Sequence, residues 1–184
     1  TNYFISGLSA FDGHVEASIA ASDVNADGIA LSVADLVYLV RVIIGDANPY
    51  PKPQPGAFAT LTQHGDIVRM DASLDIGAVL LTFEANGSVT PELGVDMDMK
   101  YAQTGNELRV LIYDIGRRGI DAGETTLLTI SGATLTGAEV ASYDGFTVES
   151  LIDVKPTSYA LLQNAPNPFN PSTMIAFNMP VEAD

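Results

Sequence analysis

A chain of 184 residues with 23 acidic against 8 basic side chains, a formal charge of −15, has room for one substantial core and a small satellite module. Its surface repels phosphate backbones and anionic membranes, which excludes nucleic acid as a partner, and favours hard cations held by carboxylate and carbonyl oxygens. With no cysteine there are no disulfides, thiolate metal sites or cysteine nucleophiles, and no apolar run reaches the roughly 18 residues that span a bilayer.

At the start of the chain, placing Gly7 on Gly45 aligns Tyr3-Phe-Ile-Ser-Gly7 with Arg41-Val-Ile-Ile-Gly45. Two related helices sharing one core is one reading of this short match, and coincidence is the other. Next comes Asp23-Val-Asn25-Ala-Asp27-Gly28, with oxygen-bearing side chains at loop positions one, three and five and a glycine at six. That spacing folds the side chains around one calcium ion, with the Ile29 carbonyl at seven. Position twelve falls on Ala34 and the acidic residue comes one place later, at Asp35. An extra residue between Ile29 and Ser32 lets Ser32 take the ninth position, directly or through water, and lets Asp35 close the sphere from the first turn of a helix. The bland alternative is an Asx-rich turn that caps a helix. The spacing and the apolar stretch Val33–Ile44 behind it favour calcium.

Asn48-Pro-Tyr-Pro-Lys-Pro-Gln-Pro-Gly56 follows, where four prolines remove backbone donors and predict a stiff linker. From 57 to 155, short apolar or alternating runs separated by Gly, Asn, Asp and Pro predict an all-β sandwich. Strands are expected at 57–63, 67–73, 78–84, 96–101, 107–113, 125–131, 138–142 and 146–152. In Glu107-Leu-Arg-Val-Leu-Ile-Tyr113 every second side chain is expected to face the core and the others solvent. Beyond Lys155 a proline and asparagine stretch leads to 173–179, which reads as one further strand with no partner left in the sequence.

The loop and the helix starting Asp35-Leu-Val-Tyr-Leu-Val-Arg-Val-Ile-Ile-Gly45 resemble the second repeat of a dockerin, a calcium loop with its exiting helix, and Tyr3–Gly7 resembles the end of a first copy. Dockerins are the plug of an extracellular plug-and-socket pair whose socket is the cohesin, a β-sandwich. The inserted residue and the missing first loop depart from that pattern. Cohesin-like stretches follow: Asp75-Ile-Gly-Ala-Val-Leu-Leu-Thr-Phe83, Asn106-Glu-Leu-Arg-Val-Leu-Ile-Tyr-Asp114 and Gly119-Ile-Asp-Ala-Gly-Glu-Thr-Thr-Leu-Leu-Thr-Ile130. They specify the sandwich better than its partner, so an immunoglobulin-like spacer stays open. Finally, Tyr159-Ala-Leu-Leu-Gln-Asn-Ala-Pro-Asn-Pro-Phe-Asn-Pro-Ser-Thr-Met-Ile-Ala-Phe-Asn-Met-Pro180 resembles the opening of a type IX secretion sorting domain. This implies export across a Gram-negative outer membrane and an extracellular or cell-surface location.

Catalytic patterns are weak. His14 and His64 lack metal-ligand spacing, no G-x-S-x-G elbow, Walker loop or dinucleotide fingerprint occurs, and Gly116-Arg-Arg-Gly119 reads as a sandwich loop. The expected fold is therefore mainly β, a cohesin-like or immunoglobulin-like sandwich at 57–155. A dockerin-like calcium module occupies 1–47, a linker 48–56, and a linker with the start of a sorting domain 156–184. The expected metal ligands are Asp23, Asn25, Asp27, Ile29, Ser32 and Asp35, holding Ca²⁺. Leu36, Tyr38, Leu39, Arg41 and Val42 are expected to meet a protein partner of the cohesin or dockerin type, in cis or in trans. The chain is expected to be a non-enzymatic interaction module. Alternatively it is a subunit that assembles head to tail into a filament, by plug-and-socket docking or by addition of the tail strand. A third reading has the plug folded back on its own socket.

Overall fold

In strand Phe58–His64 (β1) and strand Ile67–Ala72 (β2), buried side chains alternate with outward ones. This is the period of a strand with one face on a core and one in water. The computed structural model describes residues 2–11, 13–47, 56–154, 160–161, 174–175 and 177–178. Further strands are Ile76–Ala85 (β3), Glu92–Leu93 (β4), Asp98–Thr104 (β5), Glu107–Tyr113 (β6), Gly123–Thr129 (β7), Ala133–Ser142 (β8) and Thr147–Val154 (β9). They hydrogen-bond in the order β4-β7-β2-β1-β9-β8-β3-β6-β5. β9 joins the two leaves of the sandwich, pairing in parallel with β1 and, through Thr147 and Val148, antiparallel with β8. Between the leaves lie Leu61, Met70, Leu81, Phe83, Leu108, Ile112 and Leu128, all fully buried.

Strand β3 breaks the alternation, and its burial is nearly continuous. Such a run is what a strand covered on both faces requires. Val79, Leu81 and Phe83 enter the core between the leaves. Ala78 and Leu80 point the other way, into a second cluster with Leu111 and Tyr113 of β6 and Ala141 of β8. This outer face is covered by helices, Asn2–Ser6 (α1) and Val33–Ile44 (α3), which contribute Phe4, Val33, Ala34 and Val37 to the same cluster. The expectation that alternate residues of β6 face solvent is thus corrected: Leu111 and Tyr113 are buried under helices. The helical module also has a short helix Val15–Ala20 (α2) and a 3-10 turn Gly7–Ala10, neither anticipated from the sequence.

All eight expected strands have counterparts: seven have ends displaced by up to five residues, and 107–113 coincides with β6. The two-residue β4 was not anticipated. The tail strand is also corrected. Phe177–Asn178 pairs antiparallel with Ala160–Leu161, so it has a partner within the chain. Residues 159, 162–173, 176 and 179–180 of the sorting-domain match and the proline linker 48–55 lie outside the described residues.

The loop between β6 and β7 is organised by Asp114, whose Oδ2 accepts the N–H groups of Gly116 (2.8 Å) and Arg118 (2.9 Å). Its Oδ1 takes the Arg118 guanidinium at 2.6 Å, and Arg118 reaches Asp96 and Asp98 as well. Burial acts to raise the Asp114 carboxyl pKa, but the hydrogen bonds from Arg118 and Gly116 and the Arg118 charge outweigh it and hold the group below its ordinary value of 3.8. A depressed carboxyl pKa gives stability that is present above the unfolded value and lost as pH falls through the folded one. Asp114→Asn is therefore expected to lower stability at neutral pH and to flatten the fall in melting temperature below about pH 4, as read by calorimetry across pH. The loop's cations are also committed, Arg117 lying 3.9 Å from Asp46, so Gly116-Arg-Arg-Gly119 is no phosphate cradle.

Candidate metal loop and helix seat

A twelve-residue helix is marginal alone in water, so α3 depends on its ends and its packing. Its N-cap, Ser32, accepts the Asp35 N–H at 3.1 Å, and Asp35 Oδ2 accepts the Ser32 N–H at 2.9 Å in a reciprocal capping box. At the other end Gly45 adopts φ 79°, and the Asp46 N–H returns to the Arg41 carbonyl at 3.0 Å. Gly7, after α1, has the same left-handed backbone at φ 65°, matching its alignment with Gly45.

Upstream, the loop side chains turn inward on their own backbone. Asp23 accepts the N–H groups of Asp27 and Gly28, each at 3.1 Å. Asn25 Oδ1 accepts the Asp27 N–H at 3.1 Å, and Asp27 Oδ1 accepts that of Ile29 at 2.8 Å. Gly28 takes φ 86°, the left-handed turn for which glycine suits position six. Leu31 is a non-glycine residue at φ 64°, inside the interval between Ile29 and Ser32 where one residue beyond a twelve-residue loop has to be absorbed. Asp23, Asn25 and Asp27 are thus gathered in one turn. No ion pair among the described residues involves Asp23, Asp27 or Asp35.

The two closing residues also tie the loop to the helix. Asp35 Oδ1 accepts the N–H groups of Val24 (2.8 Å) and Asn25 (3.4 Å), while Oδ2 accepts from the Ser32 N–H and Oγ (2.8 Å). Four donors use the four acceptor positions of a carboxylate. In this arrangement Asp35 and Ser32 clasp the loop to the helix start. No cluster of three or more His, Cys, Asp or Glu side chains suited to a metal occurs among the described residues. The donor set that fits a hard cation is Asp23, Asn25, Asp27 and the Ile29 carbonyl, each side-chain oxygen keeping a second lone pair. His14 and His64 are both exposed.

The expected partner residues divide between two faces of α3. Arg41 is 4 % exposed and points into the sandwich. Its Nε donates to the Tyr143 carbonyl and its Nη1 to the Gly116 carbonyl, both at 3.1 Å, and its guanidinium carbon lies 3.3 Å from the Tyr143 ring centroid. Asp46 Oδ2 stands 3.6 Å away. Tyr38 backs against Gly145 in the β8–β9 turn, where a Cβ would come within 2.7 Å of the Tyr38 Cβ and 2.9 Å of its backbone. Gly77 makes the matching gap under Val37, whose Cγ1 would lie 2.7 Å from a Cβ there. Leu36 is half-buried beside a cavity of about 270 Å³ that Phe4, Phe11, Val24 and Leu39 also line. Leu39 and Val42, with Ile43 at 73 %, are exposed. Gly77, Gly145 and Tyr143 are the seat residues that sequence reasoning missed. Glycine inside the apolar run of β3 and Asp-Gly at 144–145 were the available signals.

Glu139 on β8 faces the start of α3. Burial pushes its carboxyl pKa up, against a hydrogen bond from the Val33 backbone and the charge of Arg109.

No family model and no curated protein matches this sequence. Among solved structures, the chain is similar to a non-cellulosomal cohesin from the hyperthermophilic archaeon Archaeoglobus fulgidus, at 20 % identity over 53 % of this chain and 84 % of that one, with a TM-score of 0.37. It is also similar to a chain of a type I cohesin–dockerin complex from Clostridium thermocellum, at 13 % identity over 56 % of this chain and 95 % of that one, again with a TM-score of 0.37. No helix among the described residues is long and apolar enough to cross a membrane.

Proposed function

We propose that the chain is an extracellular, non-enzymatic protein-interaction module: a cohesin-like sandwich whose outer face is covered by its own dockerin-like helix, with calcium held by the loop that precedes that helix. The observation that carries this reading is the seat of α3. Val33, Ala34 and Val37 pack on Ala78, Leu80 and Ala141, and Arg41 reaches two carbonyls beyond them. A sheet face and turn whose glycines make room for a helix, Gly77 under the Val37 side chain and Gly145 against the Tyr38 backbone, form a surface for binding a helix, here occupied in cis. Leu39, Val42 and Ile43 form the side left for a protein partner, since a contiguous exposed apolar ridge on a charged surface is a contact site. Secretion by the type IX route and a cell-surface location rest on the match at 159–180.

Calcium would be held by Asp23, Asn25, Asp27 and the Ile29 carbonyl, with water completing the six to eight oxygens the ion takes. What it would supply is charge neutralisation of a loop to which no cationic side chain among the described residues is paired. Asp27→Ala is expected to abolish calorimetric calcium binding and loosen residues 13–47 while β1–β9 stay folded, because these ligands all precede the linker. Unchanged affinity would remove the loop from the account. The filament reading requires the same helix seat to form between chains.

A further inference from the structure

Asn25 belongs to the loop, yet it also touches the sandwich. Its side chain is 6 % exposed, and Nδ2 donates to the Gly145 carbonyl and to Asp27 Oδ2, each at 3.0 Å, while Oδ1 accepts the Asp27 N–H. An acceptor pair on one side and a donor on the other allow a single orientation of the amide plane. Gly145 is the residue whose missing Cβ admits the backbone of Tyr38. One rigid amide therefore spans from the inside of the loop to the turn on which α3 is seated, across 120 residues of sequence.

We propose that Asn25 is a latch that couples occupancy of the loop to docking of α3 on the sandwich. The inference rests on the calcium reading above and goes beyond it, by assigning the coupling to one side chain. An ion that took Asn25 Oδ1 would add a further restraint to an amide plane already set by its hydrogen bonds, and so would strengthen the hold of Nδ2 on the Gly145 carbonyl. Seating of the helix positions the same oxygen for the ion. Coupling of this kind is reciprocal: whatever factor calcium adds to docking, docking adds to calcium affinity. Without the latch the loop would still offer oxygens to an ion, but filling it would be silent at the sheet.

Asn25→Asp and Asn25→Ser separate the two roles, since each keeps an oxygen for the ion and removes the Nδ2 donor. The readouts are calorimetric calcium binding and amide hydrogen exchange of α3, with and without calcium, using β3 and β6 amides as the measure that the sandwich is folded. In the unaltered chain calcium is expected to slow α3 exchange by roughly tenfold or more, within the range of ordinary coupling. In both variants calcium is expected to bind while α3 exchange stays unresponsive. Variants that bind calcium and transmit it to α3 as the unaltered chain does would overturn the latch and leave the calcium reading standing. An unaltered chain that binds no calcium would overturn both.

Discussion

Gly145→Ala is expected to unseat α3 while leaving the sandwich intact. Two costs combine at this position. The residue sits at φ 86°, where an L side chain is strained by about 1–2 kcal/mol. Its new Cβ would also lie 2.7–2.9 Å from the Cβ, Cα and N of Tyr38, so the obstacle is largely helix backbone, which cannot rotate away. Overpacking of that kind costs about 1–3 kcal/mol. The total, roughly 3 kcal/mol, approaches what burying one or two large apolar side chains gives α3 in return. Hydrogen exchange should show α3 amides losing protection while β3, β6 and β8 keep theirs. Gly105→Ala is the control: φ there is 60° and nothing lies within 4 Å of the added carbon, so only the backbone strain remains, about 1 kcal/mol. Equal effects at the two glycines would mean that the helix does not approach the turn as described.

Arg41→Ala is expected to be comparably severe for a different reason. The guanidinium is nearly fully buried, donates to two carbonyls, covers the Tyr143 ring and lies beside Asp46, whose Oδ1 is buried without a hydrogen-bond partner. Removing it leaves two carbonyls without their donors and the Asp46 charge with only the more distant Arg117 at 3.9 Å, a loss on the order of 3 kcal/mol. Arg41→Lys should recover little of it, because an ammonium cannot reproduce the planar fork that meets Tyr143 and Gly116 together. Arg41→Met separates charge from packing, since it restores most of the stem. Calorimetric unfolding of the three variants is expected to place Ala lowest with Lys only slightly above it, and the position of Met reads how much of the loss is packing. Wild-type stability in Arg41→Ala would contradict a structural role for this side chain.

The ends of α3 were legible in the sequence because capping is local. Ser32, Asp35 and Gly45 mark a start and a stop whatever the helix packs against. The sandwich was legible for the same reason, its strands being short runs between turn residues. Covered faces are not local, and there the reading was weaker. Leu111 and Tyr113 occupy positions of β6 that alternation assigns to water, and only a helix from far upstream explains their burial. Arg41 reads as a surface charge on an apolar helix until the carbonyls of Gly116 and Tyr143 are brought to it. Asp35 was read by its spacing as the residue that closes the loop, but its four hydrogen bonds could not be read, since they depend on where Val24 and Asn25 present their N–H groups. The tail strand lacked a partner in the reading because a two-residue pair such as Ala160–Leu161 with Phe177–Asn178 leaves almost no periodicity to find.

Docking of α3 on the chain's own sandwich is the central claim, and the direct test is a nuclear Overhauser measurement between the Val37 methyls and the α-protons of Gly77. It is made first on uniformly labelled protein and then, filtered for contacts between chains, on an equal mixture of labelled and unlabelled protein. The account predicts a strong contact in the first sample and none in the filtered second. A contact that survives the filter would place the helix on a neighbouring molecule and favour the filament, and no contact in either sample would contradict the seat itself.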